Sequence, residues 1–339
     1  MQAVQFLGDR QAIVHEKPDP IPQPGEVLVR MRAAAICGSD LHGYRRPPAA
    51  SPPSKWTPGH EPCGEVVELG REVQTVQSGE RVLVYHRMGC GRCLQCRTGN
   101  SNICQTGMPS LGGSRDGADA EYLAVPANRC YPIPDDMTWE DAVVISCQAG
   151  TAYAPLRRLG ASGRDSIAVI GLGPVGLCVT LLGKAMGARM VGLDPVPERR
   201  DLALRLGIDT ALDPNDPDAT GTLKELTSGG ADGLVETSGR PEAHAKIVDY
   251  LRVTGEAAIV GLGSSQPSIN PIAFFPKQLT LFASNLYPEW MLPEIFAFVR
   301  RHNVPLSSMI THRAPLAEAP EMFRLADSAT AGKIMFRFE

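Results

Sequence analysis

Features that mark several classes of protein are missing from this sequence. It has no run of basic residues, and 33 Lys and Arg against 37 Asp and Glu give a net charge of −4, so a nucleic-acid-binding protein is not expected. No apolar stretch reaches the roughly 20 residues that span a membrane. The first residues carry charges at Asp9, Arg10, Glu16 and Lys17, where a secretory signal has an apolar core. We therefore expect a cytoplasmic protein with small-molecule partners, and neither nucleic acid nor membrane among them.

The cysteines do not follow a disulfide pattern. There are nine, an odd number, and four of them crowd into the spacing Cys90-x₂-Cys93-x₂-Cys96-x₇-Cys104. Disulfide scaffolds are usually short and secreted, whereas four thiolates in one loop match a closed tetrahedral zinc site with a structural role. An iron–sulfur cluster is the alternative, although the Cys-Pro step of ferredoxin motifs is absent. Unligated thiols are the third possibility.

Length and composition indicate a globular protein of two domains. The chain has 339 residues, which is more than one domain usually holds. Hydrophobic residues make up 43% and charged residues 21%, as in globular proteins. Residues 1–150 contain short β-type segments broken by proline and glycine. Over 151–284, apolar strand-like runs alternate with helical stretches, which predicts an α/β domain with a doubly wound parallel sheet. Residues 285–339 end that alternation, and we assign them to the first domain.

A glycine-rich loop lies inside the predicted α/β domain. The sequence GLGPVG follows a strand-like run and opens a helical pattern, the context in which G-x-G-x-x-G binds the pyrophosphate of a dinucleotide. A glycine turn without a ligand is the alternative. The candidate cofactor-binding residues of this loop are Gly171, Gly173, Pro174, Val175 and Gly176.

The next predicted strand ends at Asp194. A carboxylate at this position can accept hydrogen bonds from the adenosine ribose and repels a 2′-phosphate, so we predict NAD rather than NADP. Arg199 and Arg200 follow closely and would favour NADP, but we expect them on the solvated face of the next helix.

A second group of polar residues contains further metal-ligand types. Cys37 and His42 lie in CGSDLH, and His60 and Glu61 lie in PGHE about twenty residues later. Cys, His and Glu are all zinc ligands. Taken alone, however, a single cysteine and a single histidine are more often a core thiol and a surface imidazole.

In chain order, CGSDLH, GHE, the four-cysteine spacing and GLGPVG with Asp194 resemble the zinc-dependent medium-chain alcohol dehydrogenases, which include sorbitol and threonine dehydrogenases. The resemblance covers essentially the whole chain. It implies a GroES-like catalytic domain over 1–150, completed by 285–339, and a Rossmann NAD-binding domain over 151–284. It also implies a homotetramer or homodimer.

The resemblance also implies a catalytic zinc. Cys37 and His60 match two of its ligands, and Cys147 matches the third ligand of the alcohol-dehydrogenase type. Sorbitol- and threonine-type relatives usually carry an acidic residue there, so Cys147 leaves their specific substrates open. Glu61 is then expected beside the ligands, or as an exchanging ligand rather than a permanent one.

Four more residues receive roles from the resemblance. Ser39 matches the hydroxyl that relays the alcohol proton, and His42 matches the imidazole that passes it to solvent. Asp40 matches the carboxylate that hydrogen-bonds the ligand histidine. Lys333 matches a basic residue near the cofactor pyrophosphate, with a surface lysine as the alternative.

The predicted function is a zinc-dependent oxidoreductase, with one catalytic and one structural zinc per chain, that transfers a hydride between NAD and a small secondary alcohol. Tyr44, Trp56, His86 and the segment 285–290 are expected over the zinc and favour a polyol, sugar-like or amino-alcohol substrate. Their packing at loop edges is the alternative. Two other functions stay open, namely an NADP-dependent carbonyl or enone reductase of the same fold and a non-catalytic relative.

Overall fold

The strands and helices follow the expected change in character along the chain. The computed structural model describes residues 1–47, 53–107, 109–263 and 269–339. Its strands are β1 (Gln2–Gly8), β2 (Gln11–Glu16), β3 (Glu26–Ile36), β4 (Pro62–Leu69), β5 (Arg81–Val84), β6 (Tyr122–Pro126), β7 (Cys130–Pro132), β8 (Ser166–Ile170), β9 (Arg189–Leu193), β10 (Thr210–Leu212), β11 (Ala231–Glu236), β12 (Leu251–Ile259), β13 (Thr280–Ala283), β14 (Ile310–Pro315) and β15 (Lys333–Arg337).

Most helices lie in the second half of the chain. They are α1 (Asp40–Tyr44), α2 (Leu94–Arg97), α3 (Trp139–Val144), α4 (Gly150–Leu159), α5 (Pro174–Ala185), α6 (Pro197–Arg205), α7 (Ala219–Leu226), α8 (Pro241–Tyr250), α9 (Leu292–Arg301) and α10 (Ala319–Ser328). A single π-helical turn, Ile145–Ala149, lies between α3 and α4. In the described parts of the chain, no helix combines the length and the apolar character needed to cross a membrane.

The chain divides into two units. The first contains Met1–Cys147, Pro288–Arg300 and Ile310–Glu339, and the second contains Gln148–Tyr287 and Arg301–Met309. The sequence assigned all of 285–339 to the first domain, whereas 285–287 and 301–309 belong to the second unit. In the segment 301–309, the sulfur of Met309 lies 3.4 Å from the thiol of Cys178 in α5.

The first unit is built on a sheet of seven strands. Their order is β14-β15-β3-β4-β5-β7, and β6 also pairs with β3. All pairs are antiparallel except β14 with β15. Apolar residues of β3 such as Val27, Val29 and Met31 are fully buried in its core, together with Phe323 of α10. The C-terminal strand β15 pairs with β3, and this pairing brings the end of the chain to the place where β3 ends.

The second unit contains a parallel sheet of six strands in the order β10-β9-β8-β11-β12-β13. This is the strand order of a doubly wound dinucleotide-binding fold, with the first strand, β8, at the point where the order reverses. The predicted parallel sheet is therefore confirmed. The apolar runs of β8 and β9 are buried, as expected for strands covered on both faces.

Candidate active site and metal centres

Three segments of the first unit bring four potential metal ligands together. Cys37 follows the end of β3, His60 and Glu61 precede β4, and Cys147 lies in the π-helical turn. Their ligand atoms all lie within 4.8 Å of one another. The Cys147 sulfur is 3.6 Å from His60 Nε2, and Glu61 Oε1 is 4.0 Å from the same nitrogen. The structure thus assembles the residues that the sequence proposed for the catalytic zinc.

Asp40 orients two of these groups. Its Oδ1 accepts a hydrogen bond from His60 Nδ1 at 2.8 Å, and its Oδ2 accepts one from the Cys37 backbone N–H at 2.8 Å. Because Nδ1 is used in this way, Nε2 is the ring nitrogen left facing the sulfurs. Asp40 therefore sets the ring orientation that a metal ligand at His60 requires.

The two thiols of the cluster differ in acidity. The hydrogen bond with Cys147 lowers the pKa of Cys37 well below its ordinary value, and the nearby His60 adds to this effect. The same contact and burial raise the pKa of Cys147 well above its ordinary value. Burial opposes protonation of His60, but the charges of Asp40 and Cys37 raise its pKa well above the usual value. Because metal ligands must lose their protons when a metal binds, shared protons in such a cluster are typical of a metal site without its ion.

Lys333 forms a buried ion pair with Glu61. Both side chains are fully buried, and the lysine Nζ also donates to the Ile36 carbonyl at 2.8 Å. Burial raises the pKa of Glu61 to about 7, although the lysine charge opposes the shift. The surface position considered for Lys333 is wrong, because β15 pairs with β3 and carries the lysine inside. The expected place near the pyrophosphate stays a prediction.

The donor set of this cluster fits zinc with an open position. Two thiolates and one imidazole neutralise Zn²⁺ and leave a fourth position, which distinguishes a catalytic site from a closed structural one. Glu61 forms an ion pair with Lys333 and also lies among the four potential ligands, so its role beside the ligands or as an exchanging ligand stays a prediction.

Asp119 is a buried carboxyl that the sequence did not single out. It is fully buried, and neither of its side-chain oxygens has a hydrogen-bond partner among the described residues. Gly59, at φ +90°, has no room for a Cβ because the Asp119 carboxyl occupies that space. Burial and the charge of Asp40 raise the pKa of Asp119 well above its ordinary value. No local pattern marks this residue, because its position depends on pairing between residues 117–119 and 57–59.

His86 lies directly beside the cluster. Its ring packs edge to face on the ring of His60, with centroids 4.9 Å apart, and the residue is only 2% exposed. Burial, together with the charge of His60, lowers the pKa of His86 well below its ordinary value. Both effects favour the neutral imidazole.

Three other residues expected over the zinc make packing contacts. Tyr44 packs in the core with its ring 5.7 Å from that of Phe323, and Tyr287 is fully buried against Gly150. Trp290 packs against Gly99 in the four-cysteine loop. Of the residues proposed over the zinc, His86 is placed by the structure against the ring of His60.

The two expected relay residues lie at the beginning of α1. Ser39 precedes the helix and is half-buried, and His42 is exposed on it. A proton relay needs a buried first group and a solvent-exposed last group, and Ser39 and His42 differ in exposure in this way.

The four-cysteine loop forms a second compact cluster. The ligand atoms of Cys90, Cys93, Cys96 and Cys104 also lie within 4.8 Å of one another. Hydrogen bonds from Thr106 and backbone N–H groups lower the pKa of Cys90 to about 5, whereas burial raises that of Cys96 to about 12. Four sulfurs converging without an open position fit a structural zinc.

The glycine loop has the close packing expected of a pyrophosphate-binding turn. Gly171 has φ +89°, which favours glycine, and a Cβ on Gly176 would collide with the Gly171 carbonyl. Helix α5 then begins at Pro174. Its first N–H groups are free of helical partners by geometry and can bind a phosphate.

Asp194 lies at the end of β9 and is 2% exposed. Its carboxylate accepts hydrogen bonds from the N–H groups of Leu172 at 2.8 Å and Val196 at 2.9 Å. Arg199 lies 3.6 Å from this carboxylate and 3.9 Å from the Cβ position of Gly173. Arg200 donates to the Asp194 backbone carbonyl at 2.7 Å. The expected solvated position of both arginines is therefore wrong, because the charge and the carbonyl of Asp194 hold them at the end of β9.

Comparisons with known proteins agree with both halves of this geometry. The Alcohol dehydrogenase GroES-like domain family matches residues 23–135, and the Zinc-binding dehydrogenase family matches residues 174–301. The chain is 32% identical to the zinc-type alcohol dehydrogenase-like protein YphC of Escherichia coli K12, over 100% of this chain and 99% of that protein. The chain belongs to the zinc-dependent medium-chain alcohol dehydrogenase family.

Two further likenesses bear on substrate and cofactor. An L-threonine 3-dehydrogenase of Bacillus licheniformis is 32% identical over 93% of both chains. An alcohol dehydrogenase structure from E. coli CFT073, complexed with NADH, has a TM-score of 0.89 and 26% identity, covering 100% of this chain and 99% of that one. A zinc-binding dehydrogenase structure from Sinorhizobium meliloti 1021, bound to NADP, has a TM-score of 0.88 and 26% identity over 99% of both chains. Among solved structures similar to this chain, one thus contains NADH and another contains NADP.

Proposed function

We propose that this protein oxidises a small polar secondary alcohol, such as a polyol, sugar-like alcohol or amino alcohol, with NAD, and reduces the ketone in reverse. The observation that carries the proposal is the convergence of Cys37, His60 and Cys147 on one point, with Asp40 orienting the imidazole. When bound, zinc acidifies the substrate hydroxyl and the nicotinamide accepts the hydride.

The chain's own residues supply orientation and proton transfer. Asp40 holds His60 with Nε2 toward the metal position, and the Lys333–Glu61 pair keeps a buried carboxylate beside it. Ser39 takes the proton of the alcohol, and His42 passes it to water. The half-buried position of Ser39 and the exposed position of His42 support this direction of transfer.

The proposal of NAD rests on Asp194. Its carboxylate can accept hydrogen bonds from a ribose in addition to the two it receives from backbone N–H groups, and it would repel a 2′-phosphate. Arg199 is the observation that favours the second candidate, an NADP-dependent carbonyl or enone reductase, since a guanidinium over the glycine loop could bind a phosphate.

Activity measurements on the zinc-loaded protein decide between these functions. A panel of polyols, sugars, amino alcohols and simple secondary alcohols is assayed for reduction of NAD and of NADP by absorbance, and zinc per chain is measured by elemental analysis. We expect two zinc ions and faster reduction of NAD. Faster turnover with NADP, or enone reduction that persists after zinc removal, would favour the second candidate.

A further inference from the structure

Glu236 is a buried carboxylate at the end of β11 that the proposed chemistry does not use. The residue is fully buried. Its Oε1 accepts hydrogen bonds from the backbone N–H groups of Ser238 at 2.7 Å and Gly239 at 2.9 Å, and from the Ser238 hydroxyl. Its Oε2 lies 3.3 Å from Nε2 of His244 in α8. A charge stays buried only where donors replace water, so Glu236 connects the turn 237–239 with α8.

His244 is the donor that reaches Glu236 from α8. The residue is buried, with 6% exposed. Within the described part of the chain, its Nδ1 has no hydrogen-bond partner, whereas Nε2 faces the carboxylate of Glu236. The neutral ring therefore carries its proton on Nε2 and donates it to the carboxylate. This donor adds to those of the turn and fixes the orientation of the Glu236 side chain.

The turn 237–239 packs against the glycine loop through a residue of its own. The Thr237 hydroxyl donates to the Gly171 carbonyl at 2.8 Å. A Cβ on Gly171 would lie 3.1 Å from the Ser238 backbone nitrogen. Because Thr237 makes the hydrogen bond to the glycine loop, this loop keeps its contact when the Glu236 side chain is changed.

A second loop, 260–263, follows β12 and closes on the same turn. The N–H groups of Val260 and Gly261 donate to the Glu236 carbonyl at 2.8 Å and 3.0 Å. A Cβ on Gly261 would lie 2.2 Å from the Gly239 nitrogen and 2.9 Å from Glu236 Oε2. A Cβ on Gly263 would lie 1.9 Å from the Gly239 carbonyl oxygen. The two loops therefore pack backbone against backbone, and the position of one determines the position of the other.

Both loops lie at the edge of the sheet where the glycine loop begins. Strands β8, β11 and β12 are parallel neighbours, so the loops that follow them share one edge. A fold of this type binds a dinucleotide at that edge with two halves, each built for one nucleotide. The half with β8 and β9 carries the glycine loop and Asp194. The nicotinamide half of the cofactor is therefore expected at the loops after β11 and β12.

We propose that Glu236, oriented by His244, is a positioning residue that holds the loops 237–239 and 260–263 where they receive the nicotinamide half of the cofactor. The carboxylate has no exposed surface, so it acts through the loops that it binds and not by contact with the cofactor. This inference rests on the proposed function, because it requires a dinucleotide at the glycine loop. It assigns a role to a buried pair outside the metal cluster.

The test compares the binding of NADH with that of ADP-ribose, which has a hydroxyl in place of the nicotinamide. The Kd of each is measured by titration calorimetry on the zinc-loaded wild type and on Glu236→Gln. Glutamine has the size of glutamate, but its amide NH₂ faces N–H donors where the carboxylate accepted from them. We expect the Kd of NADH to rise about 10- to 100-fold and that of ADP-ribose about threefold or less.

Two further variants separate positioning from folding. Glu225→Gln makes the same change at an exposed position in α7 and should leave both Kd values unchanged. His244→Leu removes the donor in α8 and should raise the Kd of NADH about 3- to 10-fold, with that of ADP-ribose unchanged. The leucine variant also serves as the test if Glu236→Gln fails to fold.

The outcomes separate this inference from the proposed function. A merely structural role for Glu236 would raise both Kd values equally, and this result, like an unchanged Kd of NADH, would overturn the inference. If the wild type binds NADPH in place of NADH, the comparison is made with NADPH and 2′-phospho-ADP-ribose, and only the proposal of NAD fails. A wild type that binds neither dinucleotide would refute the proposed function itself.

Discussion

Replacement of Lys333 by methionine tests how Glu61 is held beside the metal position. Both members of this ion pair are fully buried, and methionine keeps an unbranched side chain while removing the charge. Removing one partner of a buried pair typically destabilises the native state by about 3–5 kcal/mol. Part of this loss should depend on pH, because burial raises the pKa of Glu61 to about 7.

The sign follows from the raised pKa. The folded-state pKa of Glu61 lies above its ordinary value of 4.5. The contribution of Glu61 to the free energy of unfolding therefore falls as pH rises from 4.5 to about 7. At about pH 5.5 Glu61 is protonated in both native proteins. At about pH 8, Glu61 is ionised beside Lys333 in the wild type, so the free energy of unfolding no longer falls with pH. In Lys333→Met, Glu61 stays protonated, so the free energy of unfolding of the variant continues to fall. One pH unit above the wild-type pKa therefore adds about 1.4 kcal/mol to the loss at the higher pH.

The assay is urea unfolding of the zinc-loaded protein at both pH values, followed by tryptophan fluorescence. Trp56, Trp139 and Trp290 all lie in the first unit, so the signal reports the unit that contains the pair. The double variant Glu61→Gln/Lys333→Met is the control, because glutamine does not titrate and the additional loss should vanish. An equal loss for Lys333→Met at both pH values would refute the reasoning and place Glu61 permanently on the metal.

Three other predictions concern the metal, the cofactor and the relay. Cys96→Ser should release one zinc per chain and lower the melting temperature before it lowers turnover per folded molecule; an unchanged zinc content would contradict a structural site. Asp194→Asn should reduce the preference for NAD over NADP in kcat/KM by about 10- to 100-fold. The control Asp213→Asn removes the neighbouring ion pair with Arg200, at 3.3 Å, and should leave this preference unchanged. Ser39→Ala should lower kcat by about 10²- to 10⁴-fold with zinc content and NAD affinity intact, while His42→Ala loses about 10²-fold or less and is partly rescued by imidazole. Wild-type kcat in Ser39→Ala, on a substrate whose chemical step limits the rate, would exclude the relay.

Sequence patterns were sufficient wherever the relevant residues are close along the chain. The four-cysteine loop is an example, since Cys90 to Cys104 form a cluster within one short segment. The glycine loop is another, because the strand before it and the helix after it follow from hydrophobic periodicity and from the positions of glycine and proline. The parallel sheet follows for the same reason, as each strand and helix is specified by its own neighbours.

The family resemblance grouped Cys37, His60 and Cys147, but only the tertiary structure shows how distant residues meet. Cys147 reaches His60 from 87 positions away because the π-helical turn packs there, and Lys333 enters the core because β15 pairs with β3. Tyr44 packs in the core, although it was expected over the zinc. Arg199 lies beside Asp194 and the glycine loop, although it was expected on a solvated helix face. Local patterns determine backbone conformation through interactions between near neighbours, whereas the partner of a buried side chain depends on which surfaces of the whole fold exclude water together.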